Sequence, residues 1–531
     1  MTGYLVQHYL DEGRPGRMGK VAAVSRNSRL TYDELYSDSN RLAHALTRLG
    51  VKRQDRVTIL LGRSPRILTA ICGVLKADAV YVPVAHDTNE TRVLQSIRDC
   101  KPKVILCEAA TLQKAKLFAS EPGTSLRVCV LDRRDPMPGA EEIWWNEIEG
   151  EAGTEPVYRN IDTDLAYILY TSGSTGRQKG VMISHLNILN YIEWAAKFFE
   201  ITESDVILGT APFYFDMSTF DLFCALKTGA KLCIADKKEL LFPSLLFDLM
   251  EKEGVTIWKG ASSLLAYVAR NGRLEPGKIP SLRKVLFGGE ALPTKYLIRW
   301  MTAYPGKSFY NVYGPTEATG ISACCRIENL PRSDDERIPI GRACQNTEIL
   351  ILTEEGSPAR VGELGEIYIR GSGLSRGYWN DADGSRAAFP SRSSGDTAGE
   401  RLHRTGDLGF VQEDGTIVFV GRKDHQIKLM GYRFNLREVE EAMLSLPMIQ
   451  EAAVLLGKKP GAEFGELIGC AGVKKREEGV DLTGLLASIL PRYMVPRKIL
   501  ELTELPKNDR GKTDRFALRK LVQEREGYLF D

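Results

Sequence analysis

The segment YTSGSTGRQKG, from Tyr170 to Gly180, is rich in residues that form flexible, hydrogen-bonding turns. It contains three glycines and four serine or threonine residues, together with two cations, Arg177 and Lys179. The backbone N–H groups of such a turn can point toward one anion, and the cations add positive charge, which suits a polyphosphate. Because Gly180 follows Lys179 where a P-loop NTPase has serine or threonine, that class is disfavoured. The segment predicts a phosphate-binding loop of another kind, with a flexible surface loop as the alternative.

Length and composition describe an ordinary globular chain of more than one domain. The 531 residues exceed one hydrophobic core, and 43% are hydrophobic and 26% charged. A formal charge of +2 gives no reason to expect nucleic acid or an anionic membrane as a partner. No apolar run approaches the roughly 18 residues of a membrane span, and the N-terminus does not resemble a signal peptide. The ten cysteines form no C-x-x-C pair, so we expect reduced, buried thiols in a cytoplasmic enzyme.

Short apolar runs alternate with helical patterns through most of the chain. Because these runs are continuous rather than alternating, they predict an α/β fold with parallel sheets covered on both faces. The predicted strands lie at 56–62, 79–84, 103–107, 165–170, 206–212, 231–235, 255–260 and 284–290. A capping box, Thr31 with Glu34, predicts a helix that ends near Gly50.

The pattern changes in the last third of the sequence. Residues 361–420 predict antiparallel hairpins, with a turn at Asp414-Gly415, except that 381–400 predict an exposed loop. Beyond Gly421, Asn435 and Glu438 can cap a helix whose apolar positions share one face. Those positions are Leu436, Val439, Met443 and Leu446. They indicate a small α+β domain at the C-terminal end.

Four further motifs follow the glycine-rich segment in order. They are NVYGPTEAT (311–319), HRTGDL (403–408), GRKDHQIKLMGYR (421–433) and LPKNDRGKTDR (505–515). Together the five resemble the adenylate-forming superfamily, which includes acyl-CoA synthetases, luciferases and the adenylation domains of nonribosomal peptide synthetases. The resemblance covers nearly the whole chain. It implies a large N-terminal domain of layered, mostly parallel sheets with a small β-rich subdomain over 1–421, a hinge at 422–424, and a small mobile α+β domain over 425–531.

The resemblance implies an ATP site and a Mg²⁺ site. The expected nucleotide-binding residues are Thr171, Ser172, Gly173, Ser174, Thr175, Gly176, Lys179, Asn311, Tyr313, Gly314, Thr316, Asp407, Arg422 and Lys512. Of these, Lys179, Thr316 and Lys512 are expected to act in catalysis with Glu317, which would bind Mg²⁺. Asp407 would accept hydrogen bonds from the ribose, and Tyr313 would offer adenine a flat face. Lys512 would stabilise the charge that develops when a carboxylate attacks the α-phosphorus.

The same resemblance implies a second half-reaction. The C-terminal domain would rotate about Asp424, presenting Lys512 for adenylation and then the loop around Gly431 for transfer to a thiol. The sequence departs from the pattern at two places: Asn435 stands where relatives often carry an acid, and Gln178 stands where proline is common. We interpret Asn435 as a helix cap. His185, just after the phosphate loop, is interpreted as a packed histidine, with a role in the site as the alternative.

The segment 211–232 resembles the amino-acid-selecting core of nonribosomal adenylation domains, which implies that Asp216 pairs with a substrate α-ammonium. The alternative is that Asp216 caps the next helix. The other implied pocket residues are Met217, Phe220, Lys259, Leu286, Gly288, Val312, Gly320 and Ile321. If Lys259 points inward it needs a counter-charge, which an aspartate-like, β-amino or asparagine substrate would supply. If it faces solvent, or if the register is shifted, Met217 and Phe220 would shrink the pocket for alanine, glycine or serine.

We therefore expect a ligase that activates an amino acid and passes it to the phosphopantetheine thiol of a carrier protein. Because the chain stops at Asp531, soon after the last motif, we expect a free-standing enzyme or an excised domain, with the carrier acting in trans. An acyl-CoA synthetase is the second interpretation, against which Asp216 argues. A non-catalytic nucleotide-binding protein is the third, disfavoured by Lys179, Glu317 and Lys512 together. The sequence leaves open which amino acid, carrier and pathway are used and what the oligomeric state is.

Overall fold

A computed structural model provides the three-dimensional structure. It describes residues 3–13, 16–86, 90–121, 126–133, 142–172, 178–272, 274–394, 397–423, 426–429, 431–462, 465–473, 480–507 and 513–530. The chain divides into two compact units. The first comprises residues 1–86, 96–170 and 180–423, and the second comprises 87–95, 171–179 and 424–531.

The helices of the described residues are short to medium in length. They are α1 (His8–Asp11), α2 (Tyr32–Arg48), α3 (Arg66–Lys76), α4 (Glu90–Cys100), α5 (Leu112–Ala119), α6 (Trp145–Glu149), α7 (His185–Phe198), α8 (Met217–Thr228), α9 (Lys237–Leu241), α10 (Pro243–Glu253), α11 (Ser262–Asn271), α12 (Thr294–Ala303), α13 (Ala382–Ala388), α14 (Leu436–Leu444), α15 (Leu482–Ile489) and α16 (Arg515–Glu526). Single 3₁₀ turns occur at Thr316–Ala318 and Arg492–Met494.

The strands alternate with these helices over the first three hundred or so residues and then follow one another directly. They are β1 (Val21–Val24), β2 (Arg29–Thr31), β3 (Arg56–Leu60), β4 (Val80–Pro83), β5 (Val104–Cys107), β6 (Arg127–Val130), β7 (Ile143–Trp144), β8 (Leu165–Ser172), β9 (Gln178–Ser184), β10 (Val206–Gly209), β11 (Lys231–Ile234), β12 (Ile257–Ala261), β13 (Lys284–Gly288), β14 (Ser308–Tyr313), β15 (Ala323–Ile327), β16 (Arg342–Ala343), β17 (Thr347–Leu352), β18 (Gly365–Gly371), β19 (Ser391–Ser394), β20 (Thr397–Arg401), β21 (His403–Val411), β22 (Ile417–Arg422), β23 (Gln426–Leu429), β24 (Tyr432–Asn435), β25 (Ile449–Gly457), β26 (Glu466–Val473) and β27 (Lys498–Leu502).

Two large sheets dominate the first unit. One has the order β16-β15-β14-β13-β12-β10-β11-β1-β2, and the other β7-β6-β5-β3-β4-β8-β9. The strands predicted from continuous apolar runs form β3, β4, β5, β8 and β10 to β13, and they pair in parallel. Ile207, Ile257 and Leu286 are fully buried between helices, which is why such strands show no polar alternation. The predicted α/β fold is confirmed.

The helix predicted at Thr31 is present as α2. The Thr31 side chain accepts a hydrogen bond from the Glu34 N–H, and Glu34 Oε2 accepts one from the Thr31 N–H at 2.8 Å. These reciprocal bonds satisfy N–H groups that the first turn of a helix leaves unpaired. The capping box is therefore confirmed.

A small antiparallel sheet with the order β17-β18-β21-β22 follows the large sheets. The predicted turn joins β21 to β22, with Gly415 at a φ of 82°. The prediction of an exposed loop at 381–400 is wrong, because α13 and the paired strands β19 and β20 lie in this region. Asp381 accepts a hydrogen bond from the Gly384 N–H at 2.8 Å and caps α13. The hairpin depends on pairing between two polar strands, which hydrophobic periodicity cannot detect.

The C-terminal part of the second unit packs α14 against a sheet of the order β25-β26-β27. Asn435 Oδ1 accepts from the Arg437 N–H at 2.9 Å, so the predicted cap is present. The apolar positions predicted to share a face of this helix are all buried in one cluster. Glu438 does not complete a capping box, because its Oε1 pairs with Arg92 and its Oε2 has no hydrogen-bond partner.

Membrane spans and metal clusters are both absent from the described residues. In that part of the chain, no helix has the length and apolar character needed to cross a membrane. The same residues contain no group of three or more His, Cys, Asp or Glu side chains arranged to bind a metal ion. All ten cysteines are free thiols, and eight of them are buried.

Candidate active site

The carboxyl ends of β12, β13 and β14 form one wall of the candidate amino-acid pocket. In this parallel arrangement Lys259 lies beside Leu286, and Gly288 lies beside Val312. Successive side chains of a strand alternate between faces, so these positions, two apart along each strand, share one face of the sheet. The structure therefore brings together four of the predicted pocket residues on a single surface.

The N-terminal turn of α8 lies beside β12, because the Lys259 ammonium donates to the Met217 carbonyl oxygen. Asp216 occupies the N-cap position, but its side chain makes no capping hydrogen bond. The alternative that Asp216 caps this helix is therefore wrong. Its carboxylate is half-buried, and its charge opposes the fall that burial causes in the pKa of Lys259. A partly buried carboxylate without a structural task is the arrangement that a ligand ammonium requires.

Lys259 points into the protein, because only 3% of the residue is exposed. The alternative that it faces solvent is wrong. Its Nζ donates to the carbonyl oxygen of Met217 at 3.0 Å and lies 5.5 Å from the centre of the Phe220 ring. Burial lowers the pKa of Lys259, while Asp221 and, more weakly, Asp216 oppose that shift.

Asp221 is a buried acidic residue of this region that the sequence interpretation missed. It lies on α8, four residues after Met217 and therefore on the same face, and only 1% of it is exposed. Burial raises the pKa of Asp221 to about 8, and the charges of Lys259 and Arg63 oppose the rise. The available signal was its helical spacing from the predicted pocket residues.

Two glycines of the candidate pocket lie where a larger residue would be crowded. A Cβ at Gly288 would lie 2.2 Å from the Val312 carbonyl oxygen, so no larger residue fits there. Gly320 has a φ of 90°, and a Cβ there would lie 3.0 Å from the ring of Tyr191. Ile321 belongs to the same buried cluster as Tyr191. Tyr191, whose buried hydroxyl has no hydrogen-bond partner, is a second residue that the sequence interpretation missed.

The candidate nucleotide side begins on the other face of β14. Tyr313 follows Val312 and so points away from the amino-acid pocket. Its hydroxyl donates to Asp407 Oδ2 at 2.6 Å. Asp407 is 2% exposed and pairs through Oδ1 with Arg422, its directly opposite neighbour on β22. Arg422 also donates to the Thr405 carbonyl oxygen at 3.0 Å, which orients its guanidinium.

Glu317 lies on the 3₁₀ turn that follows β14 and is 3% exposed. Its Oε1 accepts a hydrogen bond from the Tyr378 hydroxyl at 2.9 Å. The turn is tightly built: a Cβ at Gly314 would lie 1.8 Å from the Gly320 carbonyl oxygen. Thr316 is half-buried on the same turn. These residues are thus held by one compact segment directly after the strand that separates the two candidate subsites.

The side-chain amide N–H₂ group of Asn311 already has a partner within the protein. Its Nδ2 donates to the Pro339 carbonyl oxygen at 2.9 Å, which ties β14 to the following loop. A nucleotide role for Asn311 would have to use its Oδ1 atom.

The glycine-rich segment is only partly described. Thr171 and Lys179 are half-buried at its two ends, on β8 and β9, and Ser172 is described by its backbone alone. Several predicted residues lie outside the described residues: Gly173, Ser174, Thr175, Gly176, Asp424 and Lys512. Their roles stay predictions.

His185 is a core residue. It is fully buried at the start of α7, and its Nδ1 accepts from the Val6 N–H at 3.3 Å. Burial lowers the pKa of His185 to about 3, so the ring is neutral at physiological pH. These contacts favour the interpretation of His185 as a packed histidine.

Comparison with known protein families assigns this chain to one of them. It matches the model of the AMP-binding enzyme over residues 11–379, and that of the AMP-binding enzyme C-terminal domain over residues 438–512. The chain belongs to the AMP-binding enzyme family. The resemblance inferred from the five motifs is therefore confirmed, and use of ATP follows from it.

Curated relatives extend over most of the chain. It is 33% identical over 95% of its length to tyrocidine synthase 3 of Brevibacillus parabrevis, but it spans only 7% of that protein. A linear gramicidin synthase from the same organism is 35% identical over 94% of this chain, which spans only 9% of that relative. The L-proline–(L-prolyl-carrier protein) ligase of Pseudomonas fluorescens is 32% identical, and the match covers 95% of this chain and 96% of the ligase.

A solved structure supports the fold. The Vibrio cholerae adenylation domain AlmE in complex with glycyl-adenosine-5'-phosphate matches with a TM-score of 0.85, 23% identity and 99% coverage of both chains. At this identity the likeness concerns the fold alone.

Proposed function

We propose that this enzyme activates an amino acid with ATP and transfers it to the phosphopantetheine thiol of a carrier protein. In the first step an oxygen of the amino-acid carboxylate attacks the α-phosphorus of ATP, forming an aminoacyl-adenylate and releasing pyrophosphate. In the second, the carrier thiol attacks the acyl carbon, forming a thioester and releasing AMP. The observation that carries the proposal is that the candidate amino-acid and nucleotide subsites lie on opposite faces of β14, next to each other at its carboxyl end. Val312 lies on the face of the sheet that carries Lys259, Leu286 and Gly288, while the Tyr313 hydroxyl donates to Asp407 of the Asp407–Arg422 pair.

Asp216 and Asp407 would bind different substrates, the amino acid and the nucleotide. Asp216 is half-buried and not used as a cap, so it can pair with the α-ammonium of an amino acid. Asp407 is buried but keeps lone pairs beyond its bonds to Tyr313 and Arg422, which suit the two hydroxyls of a ribose. An aryl or fatty acid has no ammonium and would leave Asp216 without a partner. This is the feature that favours an amino acid over the substrate of an acyl-CoA synthetase.

Glu317 fits a Mg²⁺ ligand. It supplies a buried carboxylate, held through Oε1 by Tyr378, and Mg²⁺ prefers one or two such oxygens in addition to phosphate oxygens. When bound, the ion would neutralise charge on the phosphates. Thr316 on the same turn would contact the α-phosphate, and Thr171 and Lys179 would bind the outer phosphates with the rest of the glycine-rich segment.

The C-terminal unit would act through Lys512 and Asp424. Lys512 would stabilise the negative charge that builds on the carboxylate and α-phosphate oxygens during adenylation. Rotation about Asp424 would then replace Lys512 by the segment around Gly431 for thioester formation. The boundaries 1–421, 422–424 and 425–531, like the cytoplasmic location, stay predictions.

Amino-acid-dependent exchange of pyrophosphate into ATP tests the first step, and loading of a phosphopantetheinylated carrier protein tests the second. We expect exchange with at least one amino acid, and loss of exchange in Asp407→Asn. Binding of ATP without exchange for any amino acid would overturn the proposal. Coenzyme A accepting the acyl group in place of the carrier would replace it with an acyl-CoA synthetase.

A further inference from the structure

Tyr191 is a buried residue of α7 that the sequence did not associate with the site. Only 3% of the residue is exposed, and its hydroxyl has no hydrogen-bond partner among the described residues. Buried hydroxyl groups usually bond to a protein group, because an unpaired one keeps the cost of losing its bonds to water. Burial raises the pKa of Tyr191 well above its ordinary value of 10, so the hydroxyl stays protonated and can both donate and accept a hydrogen bond.

Helix α7 packs on the face of β14 that carries the candidate amino-acid pocket. Tyr310 lies two positions before Val312 on this strand, so the two side chains share a face. The centre of the Tyr310 ring lies 5.2 Å from that of Phe199, the residue directly after α7. Phe199 also contacts Phe220, one of the predicted pocket residues, with 5.7 Å between the ring centres. Helix α7 is therefore a third element next to this pocket, together with the sheet and α8.

Gly320 is the predicted pocket residue that lies next to the Tyr191 hydroxyl. A Cβ at Gly320 would lie 3.3 Å from the hydroxyl oxygen of Tyr191 and 3.0 Å from its ring. The Gly320 carbonyl oxygen in turn lies against Gly314, where a Cβ would come within 1.8 Å of it. Gly314 directly follows β14 and is two positions after Val312, so this contact places Gly320 on the pocket face of the strand. The hydroxyl therefore lies at the carboxyl end of β14, beside the space that a side chain at position 320 would fill.

The proposed function already assigns partners to the two charged groups that every amino-acid substrate carries. The α-ammonium pairs with Asp216, which has no capping bond to make. The carboxylate must face the nucleotide, whose candidate subsite lies with Tyr313 on the opposite face of β14. This leaves the side chain of the substrate for the wall where Tyr191 lies. The other side chains of this wall are apolar and offer no hydrogen bond: Phe220, Val312 and Ile321.

We propose that Tyr191 is a specificity-determining residue, whose hydroxyl forms a hydrogen bond with a polar side chain of the amino-acid substrate. The inference rests on the proposed function and names the substrate class of the same site. An apolar side chain would leave the hydroxyl buried without a partner in the complex, whereas a hydroxyl, amide or carboxylate group would pair with it. Of the substrates that the sequence left open, the inference therefore favours aspartate, asparagine and serine over alanine and glycine.

Pyrophosphate exchange with pairs of amino acids that have similar size but different polarity tests the inference on the intact chain. The pairs are serine with alanine, threonine with valine, and aspartate or asparagine with leucine. We expect the best substrate to be a polar amino acid and to exceed its apolar counterpart in kcat/KM by about 100-fold. This comparison uses the wild-type enzyme, so it does not depend on the folding of a variant. A best substrate with an apolar side chain would overturn the inference.

Tyr191→Phe removes the hydroxyl and keeps the ring. The kcat/KM for the best substrate should fall by about 10- to 100-fold, while that for its apolar counterpart should change by no more than about twofold. Because the hydroxyl has no partner among the described residues, the melting temperature of the ligand-free variant should not fall. Tyr296→Phe is the matched control, because Tyr296 on α12 is also buried and its hydroxyl also has no hydrogen-bond partner among those residues. It should leave both kcat/KM values unchanged.

Three results with Tyr191→Phe would contradict the inference. Equal losses for both members of a pair would show that the hydroxyl contacts a group common to every amino acid. Unchanged values for both would show that it contacts no part of the substrate. A lower melting temperature would show that the hydroxyl has a structural role. Absence of exchange with any amino acid in the wild-type enzyme would instead overturn the proposed function.

Discussion

Removing one hydroxyl tests the predicted nucleotide side of the site. In Tyr313→Phe, Asp407 loses the hydrogen bond that its Oδ2 receives at 2.6 Å. Hydrogen bonds to charged groups contribute about 1.5–3 kcal/mol, which corresponds to roughly a 10- to 150-fold change in an equilibrium constant. Because Arg422 still pairs with the carboxylate of Asp407, we expect the lower end, about tenfold.

The measurement is the KM for ATP in pyrophosphate exchange at saturating amino acid. It should rise by about tenfold in Tyr313→Phe, while the KM for the amino acid stays within about twofold, since Tyr313 faces away from that pocket. Tyr304→Phe is the control, because the Tyr304 hydroxyl is buried without a hydrogen-bond partner. It should change neither constant. An unchanged KM for ATP, or equal changes in both constants, would refute the role of the Tyr313–Asp407 bond.

Four other predictions follow from individual residues. Asp216→Asn should abolish amino-acid activation while ATP binding, measured by calorimetry, persists; equal loss of both would contradict the ammonium role. Glu317→Gln should raise the Mg²⁺ concentration needed for half-maximal exchange by about tenfold, whereas Tyr378→Phe, which removes only the bond to Oε1, should raise it less; identical curves for all three proteins would exclude this site. Lys512→Ala should lose adenylation with an unchanged melting temperature, and normal exchange in this variant would remove the lysine from the mechanism. Burial lowers the pKa of His185 from 6.5 to about 3, so as the pH falls the unfolded chain binds a proton at this histidine before the folded chain does. The free energy of unfolding should therefore decrease by about 2 kcal/mol between pH 7 and pH 5. His185→Gln should flatten this loss in thermal melts at the two pH values, and an equally steep loss in the variant would show that other groups cause it.

Much of the fold was predictable because the buried strands are short continuous apolar runs. The runs at 206–212 and 255–260 became β10 and β12: β10 ends three residues earlier than predicted, and β12 begins two residues later and ends one residue later. The prediction for residues 381–400 was wrong for the opposite reason. Its strands are polar, and they form because two segments of backbone pair with each other, which no single run of residues reveals.

The candidate site was predictable where the residues lie in one short motif or in adjacent strands. Asp407 and Arg422 come from strands joined by a tight turn, so their contact follows from local sequence. Lys259 and Met217 belong to separate elements, a strand and a helix, and the hydrogen bond between them depends on how α8 packs beside the sheet. The sequence indicates that Lys259 needs an acceptor if it is buried, but only the structure shows that the acceptor is the Met217 carbonyl oxygen.

The amino-acid sequence by itself determined the family, the order of the motifs and the classes of residue at each subsite, since these depend on chemistry carried within short segments. Only the tertiary structure decided that Lys259 is buried, that its ammonium donates to the Met217 carbonyl oxygen, and that Asp216 does not cap its helix. The physical reason is that the cost of a buried charge depends on every group within a few ångströms, and those groups come from distant parts of the chain.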